Sequence, residues 1–318
     1  MIKKTYFIIE KRKKYKEQYN MNIVVGQKLY TDNGGGFIEN VTPVVVTDST
    51  NILSLEILTR LFPEIIIVTN VSEEQFDKKK FASCKIINSK SQNFSFLRNL
   101  GAYYAPTPFV FAIDSDEELD ETAVNSIKNC RFDYSLYSFN TKMYFGDQLL
   151  NITEHEVIRL YNKNMHYFVG RVHEKLVQNQ KEVKLLSGIL LNKSYKDWNQ
   201  YKKKRIKYVN LEYKRWNLLF RFISPIYVFF KNQGWKDGKI GLMYTSESIV
   251  YAIMIVFHGK PKRMFFDLDT LKTIPIPNDL GNAEQKYMQF VVSKFISRTT
   301  PPTLAEYELI EQISSAFL

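Results

Sequence analysis

The sequence predicts an α/β fold, a mostly parallel sheet flanked by helices and followed by a helical C-terminal region. Three observations carry this expectation. Between residues 41 and 113, short β-branched runs alternate with stretches of helical periodicity, the spacing of right-handed βαβ units. The run Phe109-Val110-Phe111-Ala112-Ile113 ends abruptly in Asp114, Asp116, Glu117 and Glu118, as a buried parallel strand does when it delivers charge to the carboxyl edge of a sheet. From Asp197 onward the pattern becomes helical.

Taken in order, residues 1 to 40 form a basic, polar extension that ends in the flexible turn Asn33-Gly34-Gly35-Gly36. Val41 to Thr47 predicts a strand, Ile52 to Phe62 a helix, and Glu64 to Thr69, with Ile65-Ile66-Ile67-Val68, a second strand. Glu73 to Phe81 has a helical pattern, Cys84 to Ile87 that of a short strand, and Phe94 to Tyr104 that of a helix closed by Pro106 and Pro108. After the Phe109 strand and a helix over Thr122 to Cys130, four strand-like stretches follow: Tyr134 to Phe145, His155 to Tyr161, Tyr167 to Val169 and Lys184 to Leu191. These are expected as antiparallel additions that wall a ligand site. Helices are expected over Tyr201 to Trp216, over Leu218 to Phe230 with a break at Pro225, over Gly241 to Phe257, and over Ala283 to Phe295 and Leu304 to Phe317. The implied organisation is an extension (1–40), a catalytic α/β domain (41–192), an amphipathic helical region (193–263) and a helical tail (264–318).

Composition narrows the classes of partner. The formal charge of +11 on 318 residues favours a negatively charged partner, such as a nucleotide, an anionic lipid surface or a nucleic acid. It gathers in two clusters, Lys3 to Lys16 and Lys202 to Lys207, either of which also suits a plain solvated face. Only Cys84 and Cys130 are present, without CxxC spacing, so neither a disulfide framework nor a zinc site is suggested and a reducing cytoplasm fits. The apolar run Tyr6 to Ile9 is too short for a secretory signal, and no unbroken apolar span of about 18 residues suggests an ordinary transmembrane helix.

The centre of the chemistry is Asp114-Ser115-Asp116. If the extended backbone persists through Ser115, a side-chain period of two points both carboxylates the same way. Two hard oxygen ligands then suit Mg²⁺ or Mn²⁺, whose remaining ligands come from water and substrate phosphate. The plainer reading is that Asp114 to Asp120 caps a helix beginning near Glu121.

Five motifs then resemble one family in their order: Arg98-Asn99-Leu100-Gly101, Asp114-Ser115-Asp116-Glu117, Arg159-Leu160-Tyr161, Gly170-Arg171-Val172-His173-Glu174 and Gln233-Gly234-Trp235-Lys236-Asp237-Gly238. The chain resembles glycosyltransferase family two over roughly residues 42 to 262, particularly the branch of lipopolysaccharide-core β-glucosyltransferases. The resemblance implies a GT-A (Rossmann-like) mixed sheet flanked by helices, an inverting transfer and a divalent cation. It implies that Asp114 and Asp116 hold the metal and the donor diphosphate, with His173 completing the metal site or bonding the diphosphate. Glu174 is the candidate base for the acceptor hydroxyl. Arg98 is expected to bind phosphate or orient Asp114, and Arg171 to meet diphosphate charge. Where many members carry an aspartate after the second strand, this sequence has Val68-Thr69-Asn70, so Asn70 or Asp48 is expected to read the nucleotide base.

The implied activity is hexose transfer from a nucleotide sugar, a UDP-sugar by the resemblance, to a hydroxyl of a glycan, glycolipid or protein. The basic helix from Tyr201, followed by Trp216 to Ile223, has the ingredients of a peripheral anchor at the inner face of a membrane; the same apolar residues also suit the back of the catalytic domain or a homo-oligomer interface. A rival class is a non-enzymatic nucleic-acid-binding protein, favoured by charge and by aromatic residues among lysines, although no nucleic-acid-binding signature supports it. A hydrolase with paired carboxylates ranks below transfer, because Asp114 and Asp116 are better placed to share a cation.

Overall fold

The computed structural model describes residues 37–170, 174–177, 182–211, 218–258 and 281–296. The first basic cluster, the glycine turn and the helix expected over 304–317 lie outside the described residues. Four parallel strands open the sheet: β1 (Val41–Thr47), β2 (Ile65–Thr69), β3 (Cys84–Asn88) and β4 (Phe109–Asp114), in spatial order β3-β2-β1-β4. Successive side chains feed opposite faces, as a period of two requires. Val45, Ile67, Phe111 and Ile113 enter one core, while Val44, Val68, Val110 and Ala112 enter the other. The first core is closed by α1 (Leu55–Leu61) and the helix Glu121–Lys128; the second by α2 (Phe94–Tyr104) and the C-terminal helix Asn282–Ile296, through Tyr287, Met288 and Val291. With both faces covered, these strands carry the near-continuous apolar sequence of a buried parallel sheet.

The chain then doubles back. β4 passes through the turn Ser115-Asp116 into β5 (Glu117–Leu119), then α3 (Glu121–Lys128) and the long strands β6 (Leu136–Phe145) and β7 (Gln148–Asn162). A small hairpin of β8 (Phe168–Val169) and β9 (Lys175–Leu176) precedes β10 (Lys184–Tyr195). The eight-stranded order is β3-β2-β1-β4-β7-β6-β10-β5, so the fold is the mixed-sheet α/β class expected, with a helical C-terminal region. Because β5 follows β4 by two residues yet ends the order beyond β10, the sheet curls about the Asp114 turn. β7 is antiparallel to β4 and β6, but β10 runs parallel to β6, against the expectation that all the added strands are antiparallel. Alternation of apolar residues is the same in either direction, so the pattern could not reveal this.

Two further expectations differ from the structure. Residues 73–81 hold one short helical turn, Glu73–Gln75, and a separate turn beginning at Lys78, because the Asp77 carboxylate accepts the N–H groups of Lys79 (2.8 Å) and Lys80 (3.1 Å) and offers the backbone a turn in place of a helix. Pro225 lies inside an unbroken helix, α5 (Leu218–Lys231), which bears the loss of one backbone hydrogen bond.

The helical region consists of α4 (Trp198–Leu211), α5, the turn Gly234–Asp237 and α6 (Gly238–His258). The Gln233–Gly238 motif fastens it to the sheet. Buried Asp237 accepts from Asn151 N (2.9 Å), Asn151 Nδ2 (2.9 Å) and Ile152 N (2.8 Å) of β7, satisfying the strand where its pairing with β6 shifts register between Leu150 and His155. Gly241 admits the Gly234 carbonyl 2.2 Å from where a Cβ would stand. By length and composition the 25-residue helical stretch Gly234–His258 passes as a membrane span, with an 18-residue window of mean hydropathy 1.7, although Thr245 to Ser248 interrupt its apolar run.

Helix α2 positions the site. Asn93 caps it by accepting the Phe96 N–H (3.2 Å), and Gly101 lets it rest directly on β1 and β2. A Cβ at Gly101 would lie 2.4 Å from Val44 Cγ1 and 3.0 Å from Val68 Cγ2. Gly101→Ala should therefore cost a net ~1–2 kcal/mol in urea unfolding, overpacking outweighing the gain in helix propensity. An unchanged midpoint would contradict this seating.

Candidate active site

β1, β2 and β4 end at one edge, and the residues following them (Asp48, Asn70, and the turn at Ser115) border a cleft of about 1710 Å³. Open α/β sheets bind ligands at this edge. The far walls come from β10, α4 and α5.

Parity along β4 decides where Asp114 points. Val110 and Ala112 face α2, so Asp114, two residues on, faces it too. There Arg98, almost wholly buried, donates from Nη2 to Asp114 Oδ1 (2.6 Å) and from Nε to Glu174 Oε1 (2.6 Å). From β7, Arg159 Nη2 donates to Asp114 Oδ2 (3.0 Å) and to Glu117 Oε1 (2.5 Å). The β4–β7 ladder runs only through Phe109–Phe111, which leaves the Asp114 N–H without a strand partner; it donates to Glu117 Oε2 (3.0 Å). Two guanidinium groups and three carboxylates thus close one partly buried network around Arg98 and Glu117, its two buried members, the arrangement in which buried charges are tolerated. Arg98 Nη1 and Arg159 Nε have no protein hydrogen-bond partner.

The electrostatics follow from this packing. Burial alone would raise the Asp114 carboxyl, but Arg98 and then Arg159 outweigh it and hold Asp114 down at about 2. Burial wins at Glu117, whose carboxyl stays above its usual range despite Arg159. Burial opposes the charge of Arg98, yet Asp114 and Glu174 hold its proton more firmly than usual.

Asp116 has different partners. Its Oδ2 accepts from Ser194 Oγ (2.7 Å) of β10 and from Lys204 Nζ (3.2 Å) of α4. The extended backbone stops at Asp114, and Ser115-Asp116 is a turn, so the period-two argument for converging carboxylates does not hold. Both oxygens of Asp114 are taken by arginines. Among the described residues, no group of three or more His, Cys, Asp or Glu gathers as a metal cluster. The capping reading is right for Asp120, which accepts the Ala123 N–H (2.7 Å), but not for Asp114 or Asp116.

The Arg98-Asn99 pair acts on both sides of α2. Asn99 exchanges two hydrogen bonds with the Phe168 backbone (2.8 and 2.9 Å), imitating a strand neighbour, and the Ser95 hydroxyl bonds the Gly170 carbonyl. These hold the β8–β9 hairpin beside α2, and with it Glu174, which borders the cleft. Asp48 and Asn70 border the same cleft; Arg171 and His173 lie outside the described residues. The basic cluster of α4 borders the cleft through Lys203, Lys204 and Lys207, while residues 212–217 lie outside the described residues.

Sequence reasoning missed Glu117, Lys204 and the role of Arg159. The available signal was the strand parity of β4 together with the Arg159-Leu160-Tyr161 motif on a strand able to pair with it.

The class that fold and site define is thus a mixed-sheet α/β protein with a charged cleft at its carboxyl edge. Neither a family model nor a curated protein matches the chain. Among solved structures, S. aureus TarS residues 1–349 is similar with a TM-score of 0.34 and 13% identity, over 55% of this chain and 67% of that one. The same TarS portion in complex with UDP gives 0.34 and 12%, over 48% and 60%, and in complex with UDP-GlcNAc 0.33 and 14%, over 51% and 60%. Overlap at this level leaves the site to be read from its own residues.

The titration has a direction. Asp114 falls from an ordinary 3.8 to about 2, so its pairing stabilises the fold fully above 3.8 and that contribution is lost as pH falls towards 2. Glu117, raised above 4.5, acts oppositely and at higher pH, where its ionisation costs stability. Urea unfolding across this range should show an acid limb below pH 3.8 that Asp114→Asn flattens; an unchanged limb would contradict the pairing.

Proposed function

We propose that the chain is a metal-dependent inverting glycosyltransferase that moves a hexose from a nucleotide sugar to a hydroxyl of a glycan, glycolipid or protein. The observation that carries this reading is the network joining Arg98, Asp114, Arg159, Glu117 and Glu174 in the cleft at the carboxyl edge. It sets one carboxylate, Glu174, at the cleft wall with Oε1 fixed by Arg98 and Oε2 left for a substrate hydroxyl. Asp48 and Asn70 stand at the ends of β1 and β2, where a nucleotide base would be read. The resemblance to glycosyltransferase family two names UDP-sugar as donor.

The divalent cation is read from the acids beside the Asp114 turn and from the resemblance, while the cleft walls as a whole carry more basic than acidic side chains, which suits an anionic donor. Asp116, a cleft carboxylate whose Oδ1 makes no hydrogen bond in the network above, fits Mg²⁺ or Mn²⁺ held by one carboxylate and by substrate phosphate oxygens. When bound, the cation neutralises the departing diphosphate. Asp114, saturated by two arginines, is read as an orienting residue, and His173 as a further ligand in the proposal.

The residues then divide the work. The acceptor oxygen forms its bond to the anomeric carbon as the bond to the diphosphate oxygen breaks, and the hydroxyl proton passes to Glu174 Oε2. Arg98 keeps Glu174 in place, and Lys203 and Lys207 at the cleft wall meet anionic groups. Prepositioning supplies much of the remaining advantage.

The test is a thermal-shift series with UDP, ADP and GDP, with and without Mn²⁺. One nucleotide should stabilise the protein only with metal, by about 2.7 kcal/mol at a hundredfold excess over Kd, and Asp116→Ala should abolish this. Glu174→Gln should keep nucleotide binding while transfer falls roughly 10²–10⁴-fold. Absence of stabilisation by any nucleotide, with or without metal, would sink the reading.

A further inference from the structure

Helix α5 has two unlike faces. Ser224, Pro225 and Val228 border the cleft, and Val228 and Phe229 pack against Leu150 and Ile152 of β7. The opposite stripe, Ile223, Ile226, Tyr227 and Phe230, follows i, i+3, i+4, i+7 spacing, and Trp235 continues it with its ring 6.2 Å from that of Phe230. These five side chains are 46–62% exposed. An exposed helix face is normally polar, and a contiguous apolar patch marks a partner.

Charge says which partner. From residue 222 to 246 the exposed ionised side chains are Lys231, Lys236 and Lys239, whereas the one acid, Asp237, is buried against β7. Lys231 Nζ stands 5.6 Å from the Tyr227 ring. Aromatic rings and branched aliphatics in a segment whose exposed charges are all lysines, one of them beside Tyr227, complement anionic headgroups over an acyl boundary. A two-fold pairing of this patch with itself would set lysines against lysines. A nucleic acid would leave the isoleucines unserved.

The mode is also constrained. Although Gly234–His258 is long and apolar enough to cross a bilayer, Asp237 at its start is held to the catalytic sheet by three hydrogen bonds. The helix therefore begins on the protein, and the patch lies along a surface. We propose that the outer stripe of α5, with Trp235, docks the chain on an anionic lipid surface. Since the inner edge of the same helix borders the cleft, docking holds the cleft beside the headgroups.

The test is cosedimentation of the full chain, without substrate, with phosphatidylcholine vesicles and with phosphatidylcholine vesicles containing phosphatidylglycerol. The chain should pellet with the anionic vesicles at low salt and much less with the neutral ones. Replacing the three lysines by glutamine should weaken binding on the order of a hundredfold. Tyr227→Ser/Phe230→Ser/Trp235→Ser should abolish binding with all lysines retained; if that variant does not fold, Trp235→Ser alone should weaken it several-fold. The proposal is overturned if the parent stays in the supernatant with anionic vesicles. It is equally overturned if the folded aromatic variant pellets like the parent, or if light scattering shows a parental dimer that the variant dissolves while neither binds vesicles.

Discussion

The architecture depends on one guanidinium. Arg98 is buried on α2 and reaches two carboxylates distant in sequence, Asp114 at the end of β4 and Glu174 immediately before β9. Taking such a charge out of water costs several kcal/mol, and only paired, well-oriented partners offset it. The network is therefore all or nothing: removing one member leaves another charge buried and uncompensated. Gly101, Asn93 and Asn99 act in its service, since they set the height of α2 over the sheet, the start of its first turn and the position of the hairpin that carries Glu174.

This constraint explains why the cleft has two unequal acids in one short motif. The strand parity that fills both cores sends Asp114 towards α2, where it is neutralised, and the turn that follows sends Asp116 to the opposite wall, where Ser194 and Lys204 meet it. One acid is structural and orienting. The other is the one a cation and a diphosphate can use, as proposed above. Three of the five short segments that resembled a family thus share a physical logic: Arg98-Asn99 and Arg159 hold the inner charges, and Gln233–Gly238 binds the helical region to β7 through Asp237.

Much of the fold was legible in the sequence for a simple reason. Strands buried on both faces must be apolar throughout, so β1, β2 and β4 announce themselves, and Phe94–Tyr104 is bounded by Asn93 and the prolines after it. The direction of β10 was not legible, because side-chain alternation is blind to polarity, nor was the loss of helix at 73–81, where a local Asp77 turn overrides periodicity. Around the cleft, the pairing of Arg98 with Asp114 was one of the two expectations for that arginine, but the reach of Arg98 to Glu174 and of Arg159 to Asp114 and Glu117 was not readable. Assuming an extended backbone through Ser115 hid the turn that separates the two aspartates, and the contribution of Lys204 required knowing that α4 faces the cleft.

The most direct measurement is a double-mutant cycle on Arg98→Gln and Asp114→Asn, read by urea unfolding of the parent, the two single variants and the double variant. A shared buried network predicts that the single losses are strongly non-additive, with a coupling of about 2 kcal/mol. Losses that add to within about 0.5 kcal/mol would contradict the claim that this ion pair organises the site.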